Sequence, residues 1–178
     1  MITKREVDTI LLNGSSHIIP SPGLPLGVTK FQAFMSIKPL LKGKLYWYAL
    51  RNAYDMSDNL FPYRYDLKIA FQSNELERHA LMNNKERAYL QRLSEKITIY
   101  RGMTESELDS KNFGISWTLK KDTAIFFAEK YQRNLATNNF KKVVHKLILN
   151  KSDVIAFFNE RKEFEIIYIQ PSKKLWQQ

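Results

Sequence analysis

Three polar groupings interrupt otherwise apolar segments of the chain. The first is Arg101, at the end of Ile97-Thr98-Ile99-Tyr100-Arg101-Gly102. A guanidinium closing an apolar strand ahead of a glycine is placed to grip a phosphate or ribose through paired N–H groups. The same placement suits an edge arginine carrying its charge out to water. The second is Gly114-Ile115-Ser116-Trp117-Thr118. Strand alternation puts the two hydroxyls on one face, where they can orient a carboxylate or a ligand, and Ile115 and Trp117 on the other. A plain polar outer face has the same pattern. The third is Glu163-Phe164-Glu165, running into Ile166-Ile167-Tyr168. Two carboxylates two positions apart on a strand share a face, with Cβ atoms ~7 Å apart. Glu165 then falls in line with Ile167 and Ile169, and a carboxylate on an apolar face needs a partner or a chemical task. Charge protecting an edge strand is the alternative.

Other chemistries are poorly supported. There is no GxGxxG, no GxxxxGK[ST] and no GxSxG, so no dinucleotide fold, P-loop or nucleophile elbow is legible. Cysteine is absent and His17, His79 and His145 are scattered, which removes disulfides and thiolate chemistry and leaves no metal-ligand spacing. No apolar run is long enough for a bilayer span, and MITKREVDTI lacks the apolar stretch of a signal peptide. The net charge of +10, with pI about 9.7, favours a polyanionic partner: nucleic acid, a nucleotide or an acidic protein face. It is spread along the chain, with 13 basic against 9 acidic residues in 1–95 and 15 against 9 in 96–178.

The elements that must position these groups follow from periodicity. Residues 1–28 hold Gly14, Pro20, Pro22, Gly23, Pro25 and Gly27 and read as an extended, turn-rich arm, with one short strand at His17-Ile18-Ile19. Residues 29–95 read as a helical region, with helical spacing over 31–37, 44–56, 63–72 and 75–94. Asn83 and Asn84 could instead cap a fresh helix. Its many aromatics read as a core rather than a base-stacking platform. Residues 96–178 switch to period two, giving strands around 97–101, 115–119, 143–149, 153–158 and 164–169. One helix over 121–133 interrupts them, with Ala124, Phe127, Ala128 and Tyr131 on one face. The fold class is α+β, and regions 29–95 and 96–178 are expected to form one compact unit.

Taken in order, Tyr100-Arg101-Gly102, Ser116-Trp117-Thr118 and Glu163-Phe164-Glu165 resemble the three motifs of mono-ADP-ribosyltransferases of the Arg–Ser–Glu class. The segments LMNNKERAYLQRLSEKITIYRG and SWTLKKDTAIFFAEKY are also similar to uncharacterised transferase-like proteins of phages and bacteria. The resemblance covers roughly residues 80–171. It departs at Trp117, where the family usually has threonine, and Arg101 argues against the classes that use histidine at the first motif. It implies an ADP-ribosyltransferase-like split β-sandwich core in 96–178, preceded by the helical region. It also implies NAD as donor substrate, no metal, and transfer of ADP-ribose to a macromolecular acceptor with release of nicotinamide. Arg101, with Tyr100 and Gly102, would bind the dinucleotide. Ser116 would hydrogen-bond Glu165, and Thr118 would support it. Glu165 would take the ribose 2′-OH and stabilise the developing cation, and Glu163 would deprotonate the acceptor. Segment 156–162, with Phe158, Asn159, Glu160 and Arg161, would recognise the acceptor. Phe126, Phe127 and Tyr131 are candidates to stack on nicotinamide. The implied setting is the cytoplasm of a bacterial host, with no membrane partner, as a toxin, phage anti-host factor or defence protein. A protein arginine is the first acceptor expected. The alternatives are transfer to RNA or DNA, an NAD glycohydrolase, a degenerate transferase fold acting as an inhibitor or structural phage protein, and a basic nucleic-acid-binding protein without catalysis.

Overall fold

The computed structural model describes residues 2–17, 29–57, 60–129 and 141–171. The chain forms two compact units, Met1–Asn83 and Asn84–Gln178. Within them the architecture is α+β, with seven α-helices and five strands among the described residues.

The first unit is helical: α1 (Lys4–His17), α2 (Thr29–Ile37), α3 (Gly43–Asp55) and α4 (Arg64–Phe71), with short 3₁₀ turns between them. The expected extended arm is therefore helical over Lys4–His17, while Ile18 and Ile19 lie outside the described residues. Local signals explain the difference. Thr3 and Glu6 form a capping box, with the Thr3 N–H donating to Glu6 Oε2 at 2.7 Å and the Glu6 N–H donating to Thr3 Oγ1 at 3.3 Å. Val7 and Leu11, four apart, are buried. The aromatics form the core as expected: Phe31, Phe34, Tyr46, Trp47 and Phe71 are buried. Tyr46 packs edge-on against Phe34 at 5.6 Å and Trp47 at 4.9 Å. Their polar ends are matched, with the Tyr46 hydroxyl donating to the Ala70 carbonyl and Trp47 Nε1 to the Leu76 carbonyl. Phe61 and Tyr65 are the exceptions: both are exposed, with Arg64 lying over each ring.

The N-cap of α3 is Lys42, whose side chain makes no cap. The helix is capped from more than thirty residues away. The Glu75 carboxylate accepts from the Gly43 N–H and from Lys42 Nζ, both at 3.0 Å, and Glu77 accepts from the Lys44 N–H at 3.2 Å. Two carboxylates thus face the positive end of the helix. The Gly43 N–H, and then Lys42, hold the Glu75 carboxyl below the usual glutamate range. A lowered folded-state value contributes stability that is present above the unfolded value and is lost as pH falls towards the folded one. The thermal midpoint of the wild-type protein is therefore expected to fall more steeply on acidification below the ordinary glutamate range than that of Glu75→Gln. Superimposable pH profiles would remove this cap from the account.

The expected helix over 75–94 is broken. Glu77 adopts φ +63°, Arg78–Leu81 is a 3₁₀ turn, and a new helix, α5 (Asn84–Arg92), begins the second unit. Along the chain the division between the two compact units falls between Asn83 and Asn84. The second unit continues with β1 (Lys96–Thr104), α6 (Glu105–Ser110), β2 (Ser116–Thr118), α7 (Lys121–Glu129), β3 (Lys142–Asn150), β4 (Ala156–Phe158) and β5 (Glu165–Ile167). The strands make one antiparallel sheet in the order β3-β1-β2-β5-β4. β1 and β3 pair over their full length, from Lys96↔Asn150 to Thr104↔Lys142. β2 is short and joins β1 through Tyr100↔Thr118 and β5 through Ser116↔Ile167, Trp117↔Ile166 and Thr118↔Glu165. The expected helix over 121–133 is seen to Glu129, with Ala124 and Ala128 buried. Its remainder, with Tyr131, lies outside the described residues.

Helix α7 packs on β1 through Gly102. A Cβ at that position would lie 2.3 Å from the Ala124 carbonyl oxygen and 2.7 Å from the Ala128 nitrogen, both main-chain atoms. Gly102→Ala must therefore push the helix off the strand. We expect a loss of about 1–3 kcal/mol, the usual range for overpacking, read as a lower denaturation midpoint. A neutral result would show that α7 moves freely over β1. Among the described residues, no helix is long and apolar enough to cross a membrane.

Candidate active site

The register of the sheet brings the second and third motifs together. Paired residues in an antiparallel ladder share a face. Thr118 pairs with Glu165, and Ser116 lies two positions from Thr118, so all three share one side of the sheet. Across that side the Ser116 hydroxyl donates to Glu165 Oε1 at 2.5 Å. The Glu165 side chain is only 6% exposed, and a carboxylate that enclosed is tolerated because it is matched. Its second oxygen, Oε2, faces Arg161 Nη2 at 3.3 Å. Arg161 also reaches Glu163 through Nε, 3.3 Å from Glu163 Oε2. One guanidinium thus bridges both carboxylates of the motif.

The two glutamates do not lie on one strand, as simple alternation had them. β5 begins at Glu165, Glu163 belongs to the preceding loop, and Phe164 between them has φ +51°. A bulky side chain in the left-handed region costs roughly 1–3 kcal/mol and persists only where its surroundings fix it. Here they do. The Phe164 N–H donates to Asn159 Oδ1 at 3.1 Å, and its carbonyl accepts from the Leu119 N–H at 3.0 Å. Lys120 Nζ sits 3.7 Å above its ring, and the Tyr89 ring lies edge-on at 5.7 Å. Thr118 holds the adjoining peptide: its hydroxyl donates to the Glu163 carbonyl at 2.7 Å and accepts from the Lys120 N–H at 3.1 Å. Ser116 therefore fixes the Glu165 carboxylate, while Thr118 fixes the backbone that delivers it.

The first motif divides. Tyr100 pairs with Thr118 and so shares the Ser116–Glu165 face, whereas alternation assigns Arg101 to the opposite side of β1, with Ile97, Ile99 and Met103. The Arg101 guanidinium meets β2 through the main chain, with Nη1 donating to the Ser116 carbonyl at 2.7 Å. Its Nε and Nη2 donate to the Glu107 carboxylate at 2.8 and 3.4 Å. Arg101 thus buttresses the start of β2. Gly114 makes this approach possible, because a Cβ there would lie 2.4 Å from Arg101 Nη2. Gly102 is a packing residue under α7, not part of the polar cluster.

Glu107 is the residue that the sequence reading missed. It receives the Gly114 N–H at 2.9 Å as well as Arg101. Its sequence signal is Thr104-x-x-Glu107, a capping box at the start of α6. Thr104 Oγ1 accepts from the Glu107 N–H at 3.1 Å, but the Glu107 carboxylate turns to Arg101 and Gly114.

In the expected acceptor-recognition segment, Phe158 is buried in β4 and Ala156 and Phe157 are buried with it, Phe157 stacked on Tyr89 at 4.6 Å. Asn159 is structural: its N–H donates to Glu86 Oε1 and its amide oxygen caps Phe164. Glu160 and Arg161 are exposed at the turn between β4 and β5. Trp117 points away from Ser116 and Thr118, packed against Phe113 and Tyr168. Phe126 is exposed and touches Phe127, while Tyr131 lies outside the described residues. Among the described residues, no cluster of histidine and acidic side chains could hold a metal ion.

Comparison with protein-family models, with curated proteins and with solved structures finds no match to this chain.

Proposed function

We propose that the second unit is a mono-ADP-ribosyltransferase-like catalytic core that cleaves NAD and transfers ADP-ribose to a macromolecular acceptor. The observation that carries this reading is the Ser116–Glu165 hydrogen bond, made between neighbouring strands and enclosed on one face of the sheet. A serine that holds an enclosed glutamate by one oxygen fixes the direction of the other, which meets Arg161 at 3.3 Å and would turn to a ligand hydroxyl in its place. The bond from ribose C1′ to nicotinamide already carries a cationic leaving group. The protein's task is then to stabilise an oxocarbenium-like sugar and keep an acceptor near it, which a fixed carboxylate does.

On this reading Glu165 takes the ribose 2′-OH and offsets the developing positive charge, with Arg161 giving way at Oε2. Glu163, on the neighbouring loop, takes the acceptor's proton. Tyr100 flanks the ribose from the shared face. Arg101 works by holding β2 at Ser116, and the motif order makes it the candidate contact for the dinucleotide. The finer fold assignment, a split β-sandwich of this enzyme class, rests on the order of the three motifs along β1, β2 and β5. The proposed setting is the cytoplasm of a bacterial host.

The test is incubation of the purified protein with NAD labelled in the adenylate, in a bacterial lysate. Nicotinamide release together with label on macromolecules is the expected result, and protease or nuclease sensitivity of the label identifies the acceptor class. Nicotinamide release without any label would reduce the enzyme to a glycohydrolase. No release would end the enzymatic reading. One observation favours a nucleic-acid acceptor as a second reading: exposed Phe61 and Tyr65 with Arg64 over both rings, in a chain of net charge +10. Nuclease-sensitive label would decide for it.

A further inference from the structure

Arg161 occupies a place that the proposed chemistry reserves for something else. The turn between β4 and β5 folds its guanidinium back so that Nε lies 3.3 Å from Glu163 and Nη2 lies 3.3 Å from Glu165. Glu163 is the carboxylate assigned to deprotonate an acceptor, and Glu165 is the one assigned to the reacting ribose. A side chain touching both stands where an acceptor nitrogen must stand. It is also half exposed, so a dinucleotide lying over Glu165 would meet it. The arrangement is held from outside the pair: Ser116 fixes Glu165, and Thr118 fixes the Glu163 carbonyl. The turn carrying Arg161 is closed by the Lys162 N–H donating to the Asn159 carbonyl at 3.0 Å, with Lys162 at φ +58°. The guanidinium is thus presented by a short, internally bonded turn.

We infer that Arg161 is an acceptor in cis, a site at which the protein attaches ADP-ribose to itself. The inference rests on the transferase reading given above. In the step, the bond between ribose C1′ and the nicotinamide nitrogen breaks, and its electron pair leaves with nicotinamide, which departs neutral. A guanidinium nitrogen of Arg161 gives a proton to the Glu163 carboxylate and forms the new bond to C1′ with the pair it frees. The net change is one NAD consumed, one nicotinamide and one proton released, and one ADP-ribosylated arginine. The attached group carries two phosphates and sits against Glu163 and Glu165, so it closes the site to further donor. Self-modification therefore saturates at one group per chain and limits turnover.

The experiment uses the full chain, purified and incubated with NAD at several protein concentrations. Released nicotinamide is measured, and the modified residue is mapped by proteolysis and mass spectrometry. The expected result is one ADP-ribose per chain, on Arg161, at a fractional rate independent of protein concentration. Arg161→Lys keeps the positive charge at the turn and is expected to lose the mapped group while retaining the wild-type melting temperature, which separates chemistry from misfolding. Nicotinamide release with Arg161 unmodified would overturn self-modification and leave the transferase reading standing. So would modification whose fractional rate rises with protein concentration, which marks transfer between molecules. No nicotinamide release from any form would overturn both.

Discussion

Glu165→Gln is expected to lower NAD cleavage and ADP-ribose transfer together by at least 10²–10³-fold, the scale on which removing one preorganised charge-stabilising group acts. The argument is geometric. Glutamine has the same shape, so the Ser116 hydroxyl can still donate to its oxygen, and Thr118↔Glu165 remains a ladder pair. What disappears is the negative charge at the atom that faces Arg161 and, on the proposed reading, the ribose. The fold should survive, because the substitution leaves the neighbouring core at Ile166 and Ile167 untouched. Circular dichroism and the melting temperature check that, and nicotinamide release under single-turnover conditions measures the chemical step. A variant that cleaves NAD at the wild-type rate would remove Glu165 from the mechanism. Ser116→Ala should show a smaller loss of the same kind, since it frees the carboxylate without discharging it.

The strands of the second unit were legible from their period-two alternation and α7 from its i, i+3, i+4 spacing, whereas the six-residue α6 was not read, being too short to show a period. β1 and β3 carry the period-two runs read at 97–101 and 143–149, and their pairing extends beyond both, from Lys96↔Asn150 to Thr104↔Lys142. The Ser116–Glu165 hydrogen bond was legible only through the resemblance carried by the motif order, because no periodicity says which strands are neighbours. Two features escaped for physical reasons. The turn at Phe164 was hidden because left-handed backbone is rare for an aromatic residue, and the contacts that enforce it come from Asn159, Leu119 and Tyr89. The helix α1 escaped because Gly14 within it and the glycines and prolines after it dominated the reading of residues 1–28. Its capping box at Thr3 and Glu6 was the contrary signal. Arg101 shows a different limit. Its residue type fits phosphate binding and strand buttressing equally well, and the sequence does not show the carboxylate that meets it in the fold.

That carboxylate belongs to Glu107, and Glu107→Ala is expected to destabilise the second unit by about 2–3 kcal/mol. The general figure for removing one partner of a buried ion pair is larger, about 3–5 kcal/mol, but Arg101 and Glu107 keep 21% and 19% of their side chains exposed, so solvent takes up part of the loss. Three interactions go at once: Arg101 Nε and Nη2 lose their acceptor, and so does the Gly114 N–H. Arg101 is then held at β2 only by the Ser116 carbonyl. For a unit of this size a loss of that order lowers the melting temperature by about 8–24 °C, at roughly 4–8 °C per kcal/mol. Because Ser116 both takes Arg101 at its carbonyl and gives its hydroxyl to Glu165, the variant should also lose activity at temperatures where it remains folded. Glu107→Gln separates the two effects. Its amide oxygen can keep one hydrogen bond from Arg101 while the charge is gone, so stability should fall by less than in Glu107→Ala. An unchanged melting temperature in Glu107→Ala would show that Arg101 does not need this partner, and the buttress would no longer account for how Ser116 is held against Glu165.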